Sequence, residues 1–358
     1  RPRTVDDNGD LATYASYFGR INYSFLNRYL LNASLRADGS SLFREENRWG
    51  YFPSAALAWK LKEESFMKNV NFINDIKVRL GVGKTGQQDI TGTVGFYPST
   101  PLFTVGSNTS QYLDNSNLYS AIAYNEDLTW EKTTTYNLGV DFDLFKNNFV
   151  SGSFDIYKRE TNDLLARVPL PPGQGLSDTF IKNVGSTESK GFELELNFKP
   201  IQTDNFTFEI PTQIAYTYAE VTDLDDVEKI SAGGGLPTGT NVNIAEHAVG
   251  FQPYSFWVFE QLYDANGEAI PGAFVDRNDD GQITNDDRYY IKRTPNWTFG
   301  FGFNYNYKNW DLGTSFRGQF GGQTYNSRIL TSGWVDAVVP TNSNSLSNVL
   351  DFYSGEAN

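Results

Sequence analysis

Residues 276–287, DRNDDGQITNDD, carry oxygen-bearing side chains at the spacing of a twelve-residue calcium loop. Asp276, Asn278 and Asp280 stand at the first three ligand positions, Gly281 at the sharp turn, Gln282 at the carbonyl position and Asp287 at the closing one. Hard cations take such oxygens, so Ca2+ in this loop is the one cofactor the sequence offers, and none is required. Two features depart from the pattern: Asp replaces the usual closing Glu, and no helical pattern flanks the loop. The competing reading is an Asx-rich turn in an exposed link. Glu193 and Glu195 lie two residues apart on one strand face, about 6–7 Å, a separation that also suits a glycosidase pair. Paired acids on a wet wall are ordinarily solvated structure, so no catalytic residue is assigned and the chain is read as no enzyme. Gly233, Gly234 and Gly235 lack the Lys and following helix of a phosphate loop. With no cysteine, thiolate sites are excluded, and a single histidine, His247, argues against a histidine-based triad or zinc site.

The elements that would position such groups are strands. In WTFGFGFNYNY (297–307) every odd residue is aromatic and every even one is Thr, Gly or Asn. Side chains on a strand alternate faces, so this segment has an aromatic face and a small, polar one. The same alternation recurs in KGFELELNFK (190–199), TYNLGVDFDL (135–144), FVSGSFDIY (149–157) and NWDLGTSFR (309–317). It predicts strands near 12–24, 28–38, 53–61, 75–84, 133–144, 148–159, 190–199, 206–219, 297–307 and 310–320. Links at 25–27, 145–147, 200–205 and 308–309 are short and rich in Asn, Lys and Asp, whereas those after 38, 84, 159, 219 and 320 are long. The medium link 62–74 has room for one or two helical turns.

Soluble strands average about 5–6 residues, whereas a strand tilted across a bilayer needs about 9–11. Short turns on one side, long loops on the other and apolar-out, polar-in alternation complete the pattern of a membrane barrel. The fold class is therefore all-β: a transmembrane antiparallel up-and-down β-barrel with long extracellular loops. Its aromatic rows meet lipid, and its Gly, Thr, Asn and acidic rows line the lumen. The chain carries 43 acids against 29 bases, a net charge of −14, which argues against nucleic acid as a partner. No run of about 18 apolar residues marks a membrane helix.

Rings in the long links are candidates for substrate contact, because they stack on sugars or pack peptide side chains: Tyr97, Phe103, Tyr112, Tyr254 and Trp257. The bland alternative is loop-to-loop packing. Acidic tips at Asp223, Asp225, Asp226 and Glu228 suit divalent ions shared with lipopolysaccharide, or simple solvation.

Several stretches resemble the SusC/RagA family of TonB-dependent outer-membrane transporters of Bacteroidetes. They are GRINYSFLNRYLLNASLRADGSSLF with NRWGYFPSAALAW, INDIKVRLGVGKTGQQDI, LTWEKTTTYNLGVDFDLFKN, NVGSTESKGFELELN, FVDRNDDGQITNDDR and NWDLGTSFRGQFGGQTYN. They follow family order over nearly the whole chain. The resemblance implies a 22-stranded barrel of the plugged class, a SusD-like surface lipoprotein as lid, TonB as energy source, and import of oligosaccharides or oligopeptides. It also implies residence among the lipid and lipopolysaccharide of a Gram-negative outer membrane. Residues 1–358 are read as a single partial β-barrel domain, the C-terminal part of the barrel, with the N-terminal plug and TonB-contacting segment outside the chain. The rival readings are a passive porin-like channel and a secreted soluble β-rich adhesin or glycan-binding module.

Overall fold

The computed structural model describes residues 10–87, 90–105, 111–113, 116–117, 119–122, 124–169, 179–225, 227–232 and 243–326. Ten strands form one sheet, each beside the next in chain order. They are β1 (Tyr14–Phe25), β2 (Tyr29–Ser40), β3 (Trp49–Lys60), β4 (Ile73–Gly86) and β5 (Lys132–Leu144). Then follow β6 (Val150–Asn162), β7 (Ser186–Gln202), β8 (Phe206–Asp223), β9 (Trp297–Tyr307) and β10 (Trp310–Phe320). Every predicted strand is present, and pairing from β1 to β8 is antiparallel. Tight turns at the short end use left-handed residues, among them Asn27, Asn147 and Asn148 (φ 57°, 60° and 53°); Asn tolerates this conformation better than most side chains. The medium link holds two short 3-10 turns, Leu61–Glu63 and Ser65–Met67.

The period of two sorts the side chains as the sequence predicts. One face carries continuous aromatic and aliphatic rows: Phe154, Phe192 and Tyr216 meet across β6, β7 and β8 at ring separations of 6.0 Å, and Phe301 stacks on Phe316 at 5.0 Å. These rows are not sealed in a core. Phe301 is 37% exposed and Leu80 55%, and a contiguous apolar surface of this extent needs a non-aqueous neighbour.

β7 and β8 have 17 and 18 residues, far more than the roughly 9–11 that cross a bilayer. Along the same outward rows the chemistry changes towards the long links. Ile156 gives way to Lys158 and Glu160, and Phe192 to Lys190 and Glu188. Glu188 accepts Lys158 at 2.9 Å and Lys190 at 3.1 Å. The apolar band thus ends in a charged rim, where the strands leave the hydrocarbon.

The chain divides into two compact units, residues 1–225 with 298–318, and 226–297 with 319–358. The buried core of the first unit lies among its long links. Leu42, Phe43, Phe52, Ile90, Leu128 and Trp130 cluster there, with Trp130 edge-on to Phe52 at 5.5 Å. The second unit holds a four-stranded sheet (229–231, 245–248, 255–258 and 289–291) and a hairpin pairing Gln261–Tyr263 with Ala269–Phe274.

Leu138 and Asn137 are sequence neighbours on opposite faces at the middle of β5, which gives a direct test of which face meets lipid. Leu138→Arg is expected to destabilise the folded protein by about 2–4 kcal/mol, the cost of Arg on a lipid face at the bilayer midplane. Asn137→Arg is expected to be close to neutral. Urea titration in lipid vesicles measures both.

Candidate functional site

The polar face of the wall is built around a cross-strand ion network. Lys77 and Arg79 on β4 both reach Asp141 on β5, at 2.6 and 2.7 Å. Arg79 also reaches past β5 to Asp155 on β6, at 2.9 Å. The register explains how: Gly139 lies opposite Arg79 on one side and Asp155 on the other. A Cβ on Gly139 would sit 2.3 Å from Asp155 Oδ1 and 2.8 Å from Arg79 Nη2. Glycine here is the gap through which the ion pair closes. Glu193, opposite Asp155 on β7, and Glu195 are exposed on this face and have no hydrogen-bond or ion-pair partner among the described residues. The face thus carries exposed, unpaired acids beside its ion network.

At the long-link end of the first unit, buried and half-buried polar groups tie three links together. Asn183 accepts from Thr129 N–H and donates to the carbonyls of Thr129 and Asp163, at 2.8–2.9 Å. Asn125 donates to Ile181 O, and Trp130 Nε1 to Arg48 O. Glu131 Oε1 accepts Leu165 N–H at 2.7 Å, and burial pushes its carboxyl above the usual range against the pull of that bond. Tyr97 and Phe103 belong to this unit and are exposed; the side chain of Tyr112 lies outside the described residues, as do Asp226 and the triglycine.

In the second unit Tyr254 is exposed, with a left-handed backbone (φ 62°), and stands edge-on to His247 at 4.4 Å. Burial lowers the His247 pKa and so favours the neutral ring. Trp257 is half-buried, with Lys229 Nζ 3.1 Å and the Arg288 guanidinium 4.6 Å from its ring centre. Its face is already engaged by cations, so Tyr97, Phe103 and Tyr254 are the more accessible rings.

The 276–287 loop turns its carboxylates onto its own main chain. Asp276 accepts the N–H groups of Asp280 and Gly281 at 3.3 and 2.7 Å. Asp280 accepts Gln282 N–H at 2.8 Å and Asn278 Nδ2 at 3.1 Å. Gly281 takes φ 78°, as the sharp turn requires. Asp287, fully buried, accepts Arg277 N–H at 2.8 Å and Thr284 N–H at 2.7 Å, and these bonds hold its carboxyl below the usual range. Among the described residues no group of three or more His, Cys, Asp or Glu side chains is placed to hold a metal ion.

The outward apolar wall, the polar inner face and the long-link end are features of one class of protein. Residues 1–345 match the family described as TonB dependent receptor-like, beta-barrel, and the chain belongs to it. It is 43% identical to the TonB-dependent receptor SusC of Bacteroides thetaiotaomicron over 321 residues, which are 87% of this chain and 32% of that protein. It is 33% identical to the TonB-dependent receptor P26 of Formosa agariphila, covering 88% of this chain and 32% of that one. Among solved structures it is similar to the RagAB peptide transporter, with TM-score 0.72 and 27% identity over 90% of this chain and 35% of that one. The chain therefore spans about a third of the length of these relatives.

Three measurements follow from this geometry. Gly139→Val is expected to break the Arg79–Asp155 pair and lower the heat-modifiability midpoint on gels. Paired with Asp155→Ala, the two losses are expected to be less than additive, because they remove one interaction. For Glu131, folding raises the carboxyl above its unfolded value of about 4.3. The unfolded chain releases its proton first as pH rises, so stability falls from pH about 4.3 upward until the folded group has also ionised. Glu131→Gln keeps the Leu165 bond and is expected to raise the melting temperature at pH 7 with no gain at pH 3. Calcium is tested by melting with and without chelator: a drop in the wild type that Asp276→Ala abolishes supports the ion, and identical responses remove it.

Proposed function

We propose that this chain forms part of the wall and the outer loops of a SusC-like TonB-dependent importer in the outer membrane of a Gram-negative bacterium. On this reading it takes up oligosaccharides or oligopeptides, with a SusD-like lipoprotein as lid and TonB, engaged elsewhere in the whole protein, supplying energy. The observation that carries the reading is the outward apolar face of the ten-stranded sheet, whose rings and aliphatics are exposed instead of packed in a core. A closed barrel is the β-structure that satisfies every backbone group in hydrocarbon. The 43% identity to SusC favours import over a passive channel. The exposed rings of Tyr97, Phe103 and Tyr254 suit uncharged faces of sugars or peptide side chains, and no covalent step is assigned to any residue.

The test is uptake by the intact protein in cells. The full-length protein is expected in the detergent-extracted outer-membrane fraction, and deletion of its gene is expected to abolish uptake of one class of oligomer. Deleting TonB should have the same effect. Uptake that persists without TonB would indicate a porin, and extraction without detergent would indicate a secreted module.

A further inference from the structure

The link between β3 and β4, Leu61–Phe72, is not a loose turn. Glu64, buried near its start, accepts three side-chain donors: Arg28 Nη1 at 2.7 Å, Tyr29 Oη at 2.6 Å and Trp59 Nε1 at 3.0 Å. Tyr29 and Trp59 belong to the outward apolar rows of β2 and β3, and their rings stack at 6.3 Å. Glu64 therefore fastens the link to the outward side of the wall, away from the lumen mouth. A second fastening lies at the other end. Phe72 O accepts Phe145 N–H at 2.6 Å, and the two rings are 6.1 Å apart. Lys62 closes the link on itself, donating to Val70 O at 2.7 Å.

Between these fastenings the link presents apolar groups to the surroundings. Phe66 is 62% exposed and Phe72 54%. Lys68, between them in sequence, is exposed and its ammonium has no partner among the described residues. The ring row continues along the same end of the wall, from Phe145 to Phe149 at 6.2 Å and on to Phe198 at 4.7 Å.

We infer that residues 61–72 form a foot that lies in the headgroup layer of the inner leaflet, with Phe66 and Phe72 at the acyl boundary and Lys68 at lipid phosphate. The inference rests on the membrane reading above. Tyr and Trp at a bilayer edge keep their rings in the apolar layer and their polar tips among the headgroups. Glu64, bonded to both tips, is fixed at headgroup depth. Phe66 follows two residues later, so it lies within about 7 Å of that depth. The headgroup layer on each side is itself about 5–7 Å thick, and interfacial segments bury their apolar face about 5–10 Å into this boundary. Phospholipid is thus the neighbour these exposed rings reach.

The chain has no cysteine, so single labels are straightforward to place. Phe66→Cys, Phe72→Cys and Glu63→Cys variants of the full-length protein, each carrying an NBD fluorophore, are reconstituted in phosphatidylethanolamine–phosphatidylglycerol vesicles. Leu138→Cys on the outward face of β5 serves as the wall control. Labels at 66 and 72 are expected to be quenched at least twofold more than the label at 63 by a lipid nitroxide near the headgroup, and to be shielded from aqueous iodide. Iodide quenching at 66 equal to that at 63 would overturn the foot, as would shielding of 66 from both quenchers, which means that protein covers it. If Phe66→Cys does not assemble, Ser65→Cys carries the same expectation and the same overturning results. A Leu138 label that no lipid nitroxide reaches would sink the membrane reading itself; quenching at 138 without quenching at 66 sinks only the foot.

Discussion

Hydrocarbon offers the peptide backbone no hydrogen-bond partner, and the organisation of this chain follows from that constraint. Each wall strand from β2 to β9 has a hydrogen-bonded neighbour on both sides. Because the side-chain period is two, the same pairing presents one row of residues to each side. Phe154 and Asp155, or Leu138 and Gly139, are adjacent in sequence and meet different media. The wall needs no interior of its own: lipid covers one face, and the polar groups of the other are met by water and by each other.

A consequence is that the buried core appears where the wall stops. Trp130, Phe43, Leu42 and Leu128 are drawn from links, and Phe52 is the wall residue that joins them from the polar face of β3. In the described long links of the first unit, beyond the wall, ordinary apolar burial organises the chain. Asn125 and Asn183 satisfy the main-chain groups that this packing removes from solvent. The chain thus uses two solvents and two ways of being stable, divided at the charged rim of Lys158, Glu188 and Lys190.

The wall was legible in sequence because alternation over ten or more residues is a strong local signal. The bounds of β9 and β10 coincide with the alternating aromatic runs. β7 and β8 extend beyond 190–199 and 206–219 because their long-link ends continue the ladder with Glu188 and Glu220 on the outward row, where the apolar marker is gone; β7 also runs on to Gln202 at its other end. β3 begins at Trp49, earlier than 53, since Phe52 places an apolar ring on the polar side and breaks the pattern. The link core was not legible: Leu42, Ile90 and Trp130 are far apart in sequence with no period joining them. Nor was Glu64, whose partners Arg28 and Tyr29 lie 36 and 35 residues away. Trp257 read as an open ring because Lys229 and Arg288 approach it only through the fold. The spacing of 276–287 was legible as a sharp Asx-rich turn, and it holds Gly281 left-handed; spacing could not show that Asp276, Asp280 and Asp287 spend oxygens on main-chain N–H groups.

The missing side chain at Gly139 also bears on how neighbouring strands find each other. Sliding β5 by one residue would turn Leu138 or Val140 inward and bury acids in lipid, so gross misalignment is already penalised. Sliding by two keeps every face correct and would otherwise be hard to distinguish. It would, however, bring Asn137 or Asp141 beneath the Arg79 guanidinium, closing the passage to Asp155. A single hydrogen atom in place of a side chain thereby lets the lock between β4 and β6 engage in one alignment only, and gives the assembling barrel a means of telling the right pairing from its nearest look-alike.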